Sequence, residues 1–192
     1  TINGSGTLTG VSVGGLPDGI VDTDMIADAA VTDVKRGPGS VLQVVSTEIT
    51  GNIDSNSSTA VASGLITTLT PKQTNSKFYI TVDNICGHSN RTTTTNNGSI
   101  YYLYVSVNGG TYANAAADRL SSTYINGDLG NWLDFPTSIS YFDTPSYSAG
   151  QTVAYQPYYV KGLNNGVAGY FNHTGGNGTN QRVTQIVMEI AQ

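Results

Sequence analysis

SIYYLYVSV, residues 99–107, is the stretch from which the fold can be read. Tyr, Ile and Val crowd it, and such side chains fit a pleated, half-buried surface better than a helix. It ends in Asn108-Gly109-Gly110, and Asn-Gly is a favoured hairpin turn because both residues tolerate positive φ. Apolar or aromatic side chains occupy both alternating sets: Ile100, Tyr102 and Tyr104 on one side, Tyr101, Leu103 and Val105 on the other. Such a strand has both faces covered. The outer cover is either a neighbouring subunit or, for a central strand, water reached by the tyrosine hydroxyls.

Working outward, KFYITVDNI (77–85) alternates Phe78, Ile80 and Val82 against Tyr79, Thr81 and Asp83, a strand with one buried face. RVTQIVMEI (182–190) sets Val183, Gln185 and Val187 against Ile186, Met188 and Ile190. SVLQVVSTEI (40–49) is the first good strand, and 65–69 and 138–142 add short ones. TVAYQPYYV (152–160) is interrupted by Pro157, which cannot donate to a ladder, so an edge or bulged strand is expected. Residues 167–172 form one more short strand. Between them, 52–59, 87–98, 127–136 and 173–180 read as loops, 71–76 and 144–150 as turns, and 113–117 as a loop or a turn of helix. About eight strands of this kind predict a mostly β fold, an antiparallel β-sandwich of jelly-roll type, closed by pairing of its first and last strands.

Composition agrees. Charged residues are 11% of 192, with 23 glycines and 12 tyrosines against 4 phenylalanines; this mixture suits strands and turns and starves helices. The net charge of −5 and the scarcity of lysine give no basic stripe for a phosphate backbone, so no nucleic-acid partner is expected. No apolar run approaches the roughly 20 residues of a membrane span. Cys86, the only cysteine, reads as a small apolar residue at a strand end. Thr1 is not a start methionine, so the chain is expected to be a fragment or a processed product.

The N-terminal part differs in kind. GIVDTDMIADAAVTDVK (19–35) interleaves Ile20, Val21, Met25, Ile26, Ala29, Ala30 and Val34 with Asp22, Asp24, Asp28 and Asp33. The spacing of Ile26, Ala29 and Ala30 predicts a short amphipathic helix capped by Thr23, with Lys35 and Arg36 at its C-terminal end. A helix this short is marginal alone, so its apolar side needs a cover. Gly37-Pro38-Gly39 stops it, dividing the chain into residues 1–36 and a β domain, 37–192.

Three pieces together carry a resemblance: GIVDTDMIADAAVTDVK; GPGSVLQVVSTEIT (37–50) followed by TLTPKQTNSKFYITV (68–82); and SISYFDTPSYSAGQTVAYQPYYVKG (138–162) with the ending QRVTQIVMEIAQ (181–192). In this combination the chain resembles the C-terminal region of tail-fibre and related fibre proteins of bacteriophages, especially phages of aquatic bacteria. The resemblance implies a trimeric stalk, a β-sandwich knob, three knobs around the fibre axis and a tip that touches the host surface. It places the protein in the virion, joined to other virion proteins through a part preceding Thr1. Under it, Ile20, Met25, Ile26, Ala30 and Val34 are the trimer-interface candidates.

No catalytic site is expected. Glu48 and Glu189 are the only glutamates, and Asp128, Asp134 and Asp143 either converge or cap turns. His88 and His173 stand alone in Gly/Asn-rich loops, with no Ser-His-Asp, GxSxG or HExxH arrangement. No metal or cofactor is expected. For binding, Trp132 with Asn131 and Asp134, and Tyr124 with Asp128, form the candidate ligand site: an indole to stack on a sugar face and polar neighbours for its hydroxyls. The other reading of Trp132 is a plug at the end of the sandwich. The functions that follow are attachment to a host-surface glycan or protein, a structural fibre bracing the tail or decorating the capsid, and, ranked below both, a glycan depolymerase.

Overall fold

Alternation of apolar and polar residues is converted directly into sheet. The computed structural model describes residues 31–89, 97–125, 133–161, 169–173 and 181–192. These hold twelve strands: β1 (Val41–Thr50), β2 (Ile53–Ser55), β3 (Val61–Ala62), β4 (Thr67–Leu69), β5 (Lys77–Ser89), β6 (Asn97–Val107), β7 (Ala113–Asn114), β8 (Ser121–Ile125), β9 (Leu133–Asp143), β10 (Val153–Lys161), β11 (Gly169–Asn172) and β12 (Arg182–Ile190). The chain is mostly β, and every pairing is antiparallel. One sheet has the order β1-β12-β5-β9. A six-stranded sheet is ordered β3-β10-β6-β7, with β4 also on β10 and β8 also on β6. A two-stranded ribbon pairs β11 with β2. The first and last strands pair as expected, Val41 opposite Ile190 through Thr50 opposite Arg182.

The two larger sheets send side chains into common clusters. Val82 and Ile85 of β5, Ile139 of β9 and Val183 of β12 meet Tyr101 of β6, Tyr159 of β10 and Phe171 of β11. Phe78, Ile80 and Val187 meet Leu69, Leu103, Val153 and Tyr155. Gln185, fully buried, donates from Nε2 to the Tyr155 carbonyl and so ties one sheet to the other. Burial pushes the Tyr101 hydroxyl up to about 12, and that hydroxyl donates to the Tyr170 carbonyl.

Several local expectations are corrected by pairing that composition does not reveal. The 52–59 loop contains β2, which finds β11. The 87–98 loop is shortened at both ends, because Ser89 pairs with Leu133 and Asn97 with Ile125. The 127–136 loop gives way at Leu133 to β9, which carries Pro136 at the sheet edge, where a missing donor is tolerated. Residues 113–117 make the short β7 and a turn with Ala117 at φ 58°, not a helix. Pro157 does not lie on an edge strand, since β10 pairs with β6 on one side and with β4 and β3 on the other. Its carbonyl accepts from Ser63 N–H, so its missing N–H also faces the β3/β4 side. That side is broken between Ala62 and Thr67, and the proline occupies a local edge inside a central strand.

The chain enters at one end. Asp33–Lys35 is a single 3-10 turn, with Arg36 N–H bonded back to the Asp33 carbonyl. The Arg36 guanidinium donates to the Val41 and Leu42 carbonyls, and Gln73 Nε2 donates to the Asp33 carbonyl. Gly39, at φ 86°, turns the chain so that its N–H reaches the Ala191 carbonyl. Close by, the fully buried Glu189 carboxylate accepts from Lys72 N–H, Gln73 N–H, Ser76 Oγ and Gln43 Nε2, fixing the 71–76 turn between β1 and β12. The predicted helix from Thr23 onward, with Ile20, Met25, Ile26 and Ala30, lies outside the described residues as far as residue 30; its expected C-terminal end is corrected, because Thr32 is extended and Lys35 closes the 3-10 turn instead of a helix. The backbone of Val34 belongs to the 3-10 turn, and its side chain lies outside them too.

Candidate functional site

On β6 the inward set Tyr101 and Leu103 is fully buried, which turns Ile100, Tyr102, Tyr104 and Ser106 to the outer face of the six-stranded sheet. Register then decides what stands beside them. On β10, Val160 is opposite Ile100, Tyr158 opposite Tyr102, Gln156 opposite Tyr104 and Ala154 opposite Ser106. Tyr158 leans diagonally onto Tyr104, their rings stacked at 4.0 Å between centroids and 20° between planes. The Asn108-Gly109 turn, with φ of 52° and 69° and a 3.0 Å Gly110 N–H to Val107 carbonyl bond, folds the chain back so that Ala113 and Asn114 pair with Val105 and Tyr104. That return delivers Tyr112, whose ring centroid lies 6.2 Å from Tyr158. Four half-buried tyrosines, 102, 104, 112 and 158, thus share one outer face.

The face is uncharged at every outward position of β6 and β10. Burial raises the Tyr112 and Tyr158 hydroxyls above 10.0, each helped by a neighbouring tyrosine, so both stay protonated at neutral pH. Half-exposed rings with protonated hydroxyls offer flat apolar area together with donors and acceptors. A ligand with apolar faces and a hydroxyl rim fits this chemistry, and a charged one finds no ion partner at the described outward positions of β6 and β10.

Of the residues expected to bind ligand, only Tyr124 is fully described. It is 51% exposed on β8, opposite Gly98, on the same outer face as Ile100 and Tyr102. Asp128, Asn131 and Trp132 lie outside the described residues, and of Asp134 only the backbone is described, in β9 opposite His88. The strands that bracket 126–132 end together: Ile125 beside Asn97, and Leu133 beside Ser89. This is the end of the sheets opposite the Val41–Ile190 pair where the chain enters.

Among the described residues the carboxylates do not converge, and Asp128 lies outside them. Glu189 points into the core, whereas Glu48 lies on the other face of the same sheet, 2.6 Å from Arg182. Asp134 and Asp143 are at opposite ends of β9, about 30 Å apart at roughly 3.3 Å per residue. Asp143 caps a turn through Thr144 N–H and accepts from the Tyr155 hydroxyl at 3.0 Å. His173 packs edge-on against Tyr170, and Cys86 is buried. Among the described residues no three His, Cys, Asp or Glu gather as a metal set, and no helix is long and apolar enough to cross a membrane. A cleft of about 710 Å³ at the entry end is lined by Arg36, Pro71, Lys72, Gln73 and Gln192.

The tyrosine face was only half visible in the sequence. Tyr102 and Tyr104 follow from alternation within 99–107, but Tyr158 needs the β6–β10 register and Tyr112 needs the hairpin return. No protein-family model and no curated protein matches this chain.

Proposed function

We propose that this chain is a bacteriophage fibre protein of the virion, a homotrimer that attaches the particle to a bacterial surface by holding a glycan. In this reading residues 37–192 form a jelly-roll-like β-sandwich knob, and residues 1–36 form a stalk with a short helix. The observation that carries the binding assignment is the uncharged, half-exposed Tyr104–Tyr158 stack flanked by Tyr102 and Tyr112. Aromatic rings bury apolar area at low entropic cost, and their hydroxyls meet those of a sugar. An open platform of this size binds weakly. Three copies raise the effective affinity without new contacts, by a factor on the order of 10² to 10⁴ when the geometry allows all to engage.

The test is binding of the purified chain to host cells and to their isolated surface polysaccharide, with Tyr158→Ala and Tyr104→Ala beside the parent. Saturable binding that both variants weaken supports the assignment. No binding to any host fraction returns the protein to a structural role on the capsid or tail. Release of reducing sugar makes it a depolymerase.

A further inference from the structure

The outer face of the four-stranded sheet has a different chemistry. Register places Val44, Met188, Tyr79 and Phe142 in one row across all four strands, β1, β12, β5 and β9. At about 4.8 Å between strands the row is roughly 14 Å wide. Val41, Ile190 and Lys77 lie in the row on one side, and Ser46, Ile186, Thr81 and Ser140 on the other. Val44 is 56% exposed, Phe142 51% and Val41 47%. Tyr79 stacks on Phe142 with centroids 4.6 Å apart, and the Lys77 ammonium lies 4.4 Å from the centroid of the same ring. A contiguous aliphatic and aromatic patch of this kind marks a protein contact more than a sugar site.

We infer that this face packs against another copy of the same chain. Two observations select that occupant. The first is charge: among the described side chains of the face, Lys77 and Arg182 stand against Glu48 and Asp83, two of each sign, on a chain whose net charge is −5. Copies gathered around one axis must avoid like-charge repulsion there, and the described side chains of this face balance where the whole chain is acidic. The second is continuity. The acidic-apolar stretch 19–35 leads through the Gly37–Gly39 turn directly into Val41 and Val44, and the C-terminal residues Met188 and Ile190 lie beside them. Copies gathered by that stretch therefore bring these faces to the shared axis. The inference rests on the homotrimer reading for the number of copies and adds the surface on which the β regions meet.

The experiment uses the full chain. Mass in solution is measured for the parent, Val44→Asp, Phe142→Asp and, as a control on the opposite sheet, Thr68→Asp. Both aspartates on the aliphatic face are expected to raise the dissociation constant at least about tenfold, with the control unchanged and melting retained in all. An oligomeric parent whose mass neither variant alters overturns this face and leaves the trimer reading standing on residues 1–36. A monomeric parent overturns both. A thiol introduced by Val44→Cys gives a second readout, since Cys86 is buried and silent. Its labelling should slow as protein concentration rises. Slow labelling in a monomer would mean that the chain's own N-terminal residues cover the face, and the inference fails.

Discussion

The two outer faces of this molecule are built by one device and filled with different chemistry. On the six-stranded sheet, outward positions of the central strands carry Tyr102, Tyr104 and Tyr158. On the four-stranded sheet the corresponding positions carry Val44, Met188, Ile186, Ile190 and Phe142, with Tyr79 the one hydroxyl-bearing ring in the central row. Tyrosine gives a large apolar ring and still satisfies water through its hydroxyl, so a tyrosine face can stand wet and wait for a polar ligand. Valine, isoleucine and methionine have no such group, and exposing them together costs about 25 cal/mol for each Å² left in water. Under the proposed reading, neither strand pattern nor exposure alone separates the glycan face from the association face. The share of hydroxyl-bearing rings does: Tyr102, Tyr104, Tyr112 and Tyr158 on one face against Tyr79 alone in the row of the other.

Four groups of measurements press on that comparison. The largest effect belongs to Glu189, which holds the 71–76 turn leading from β4 of one sheet to β5 of the other. Glu189→Ala leaves Lys72 N–H, Gln73 N–H, Ser76 Oγ and Gln43 Nε2 without their acceptor inside the fold. A loss of about 3 kcal/mol is expected from the buried Ser76 hydroxyl and three part-buried bonds left unmade. It should appear as a lowered melting temperature with ligand binding and association falling together. Unchanged melting would show that the 71–76 turn is not held from β12.

Next is the ring stack. Tyr158→Ala should weaken glycan binding about tenfold, roughly 1.4 kcal/mol, while leaving the mass in solution unchanged. Tyr158→Phe keeps the ring and should lose less, which calorimetry can resolve. If the two variants lose equally, the hydroxyl rather than the stack carries binding, and the face works by hydrogen bonds.

Smaller is the exchange of chemistry across the faces. Phe142→Ser removes the ring beneath Lys77 and beside Tyr79. Sedimentation should show weaker association, with glycan binding per chain unaltered. A simultaneous loss of glycan binding per chain would join the two faces into one function.

Smallest is the pH response. Desolvation raises the Asp143 carboxyl above 3.8, and that effect exceeds the opposing bonds from Tyr155 and Thr144. A raised carboxyl contributes stability that is complete below 3.8 and is lost as pH rises through the higher folded value. Asp143→Asn should therefore flatten the stability curve just above pH 3.8, seen by denaturant melts across that window, while still accepting from the Tyr155 hydroxyl. The tyrosine face behaves differently: with Tyr112 and Tyr158 raised above 10.0, its ligand affinity should stay flat through neutral pH and fall only beyond 10.0.

How much of this was legible follows from the range of each signal. The alternation in 77–85 and 182–190 is local and strong, and both strands formed; it did not say which set of 182–190 faces in, and the structure puts Val183, Gln185 and Val187 inside. The Asn108-Gly109 turn was equally local. Pro157 misled because its tolerance depends on a gap between Ala62 and Thr67, nearly a hundred residues away in sequence. The Gly- and Asn-rich flanks of β5, β6 and β9 became strand because partners supplied the ladder, which composition cannot anticipate. Of the site, the sequence put Tyr102 and Tyr104 on one side of a strand with both faces covered, without saying which side faces out. It could not join them to Tyr158 and Tyr112, which only register brings together.

The division of labour between the faces is tested most directly by one titration of host-surface polysaccharide into the parent, Tyr158→Ala and Val44→Asp, scored as sites and affinity per chain at a concentration where every sample is monomeric. The account predicts that Val44→Asp matches the parent and Tyr158→Ala binds about tenfold more weakly. Equal affinity in the parent and Tyr158→Ala, with the loss falling on Val44→Asp, would contradict it.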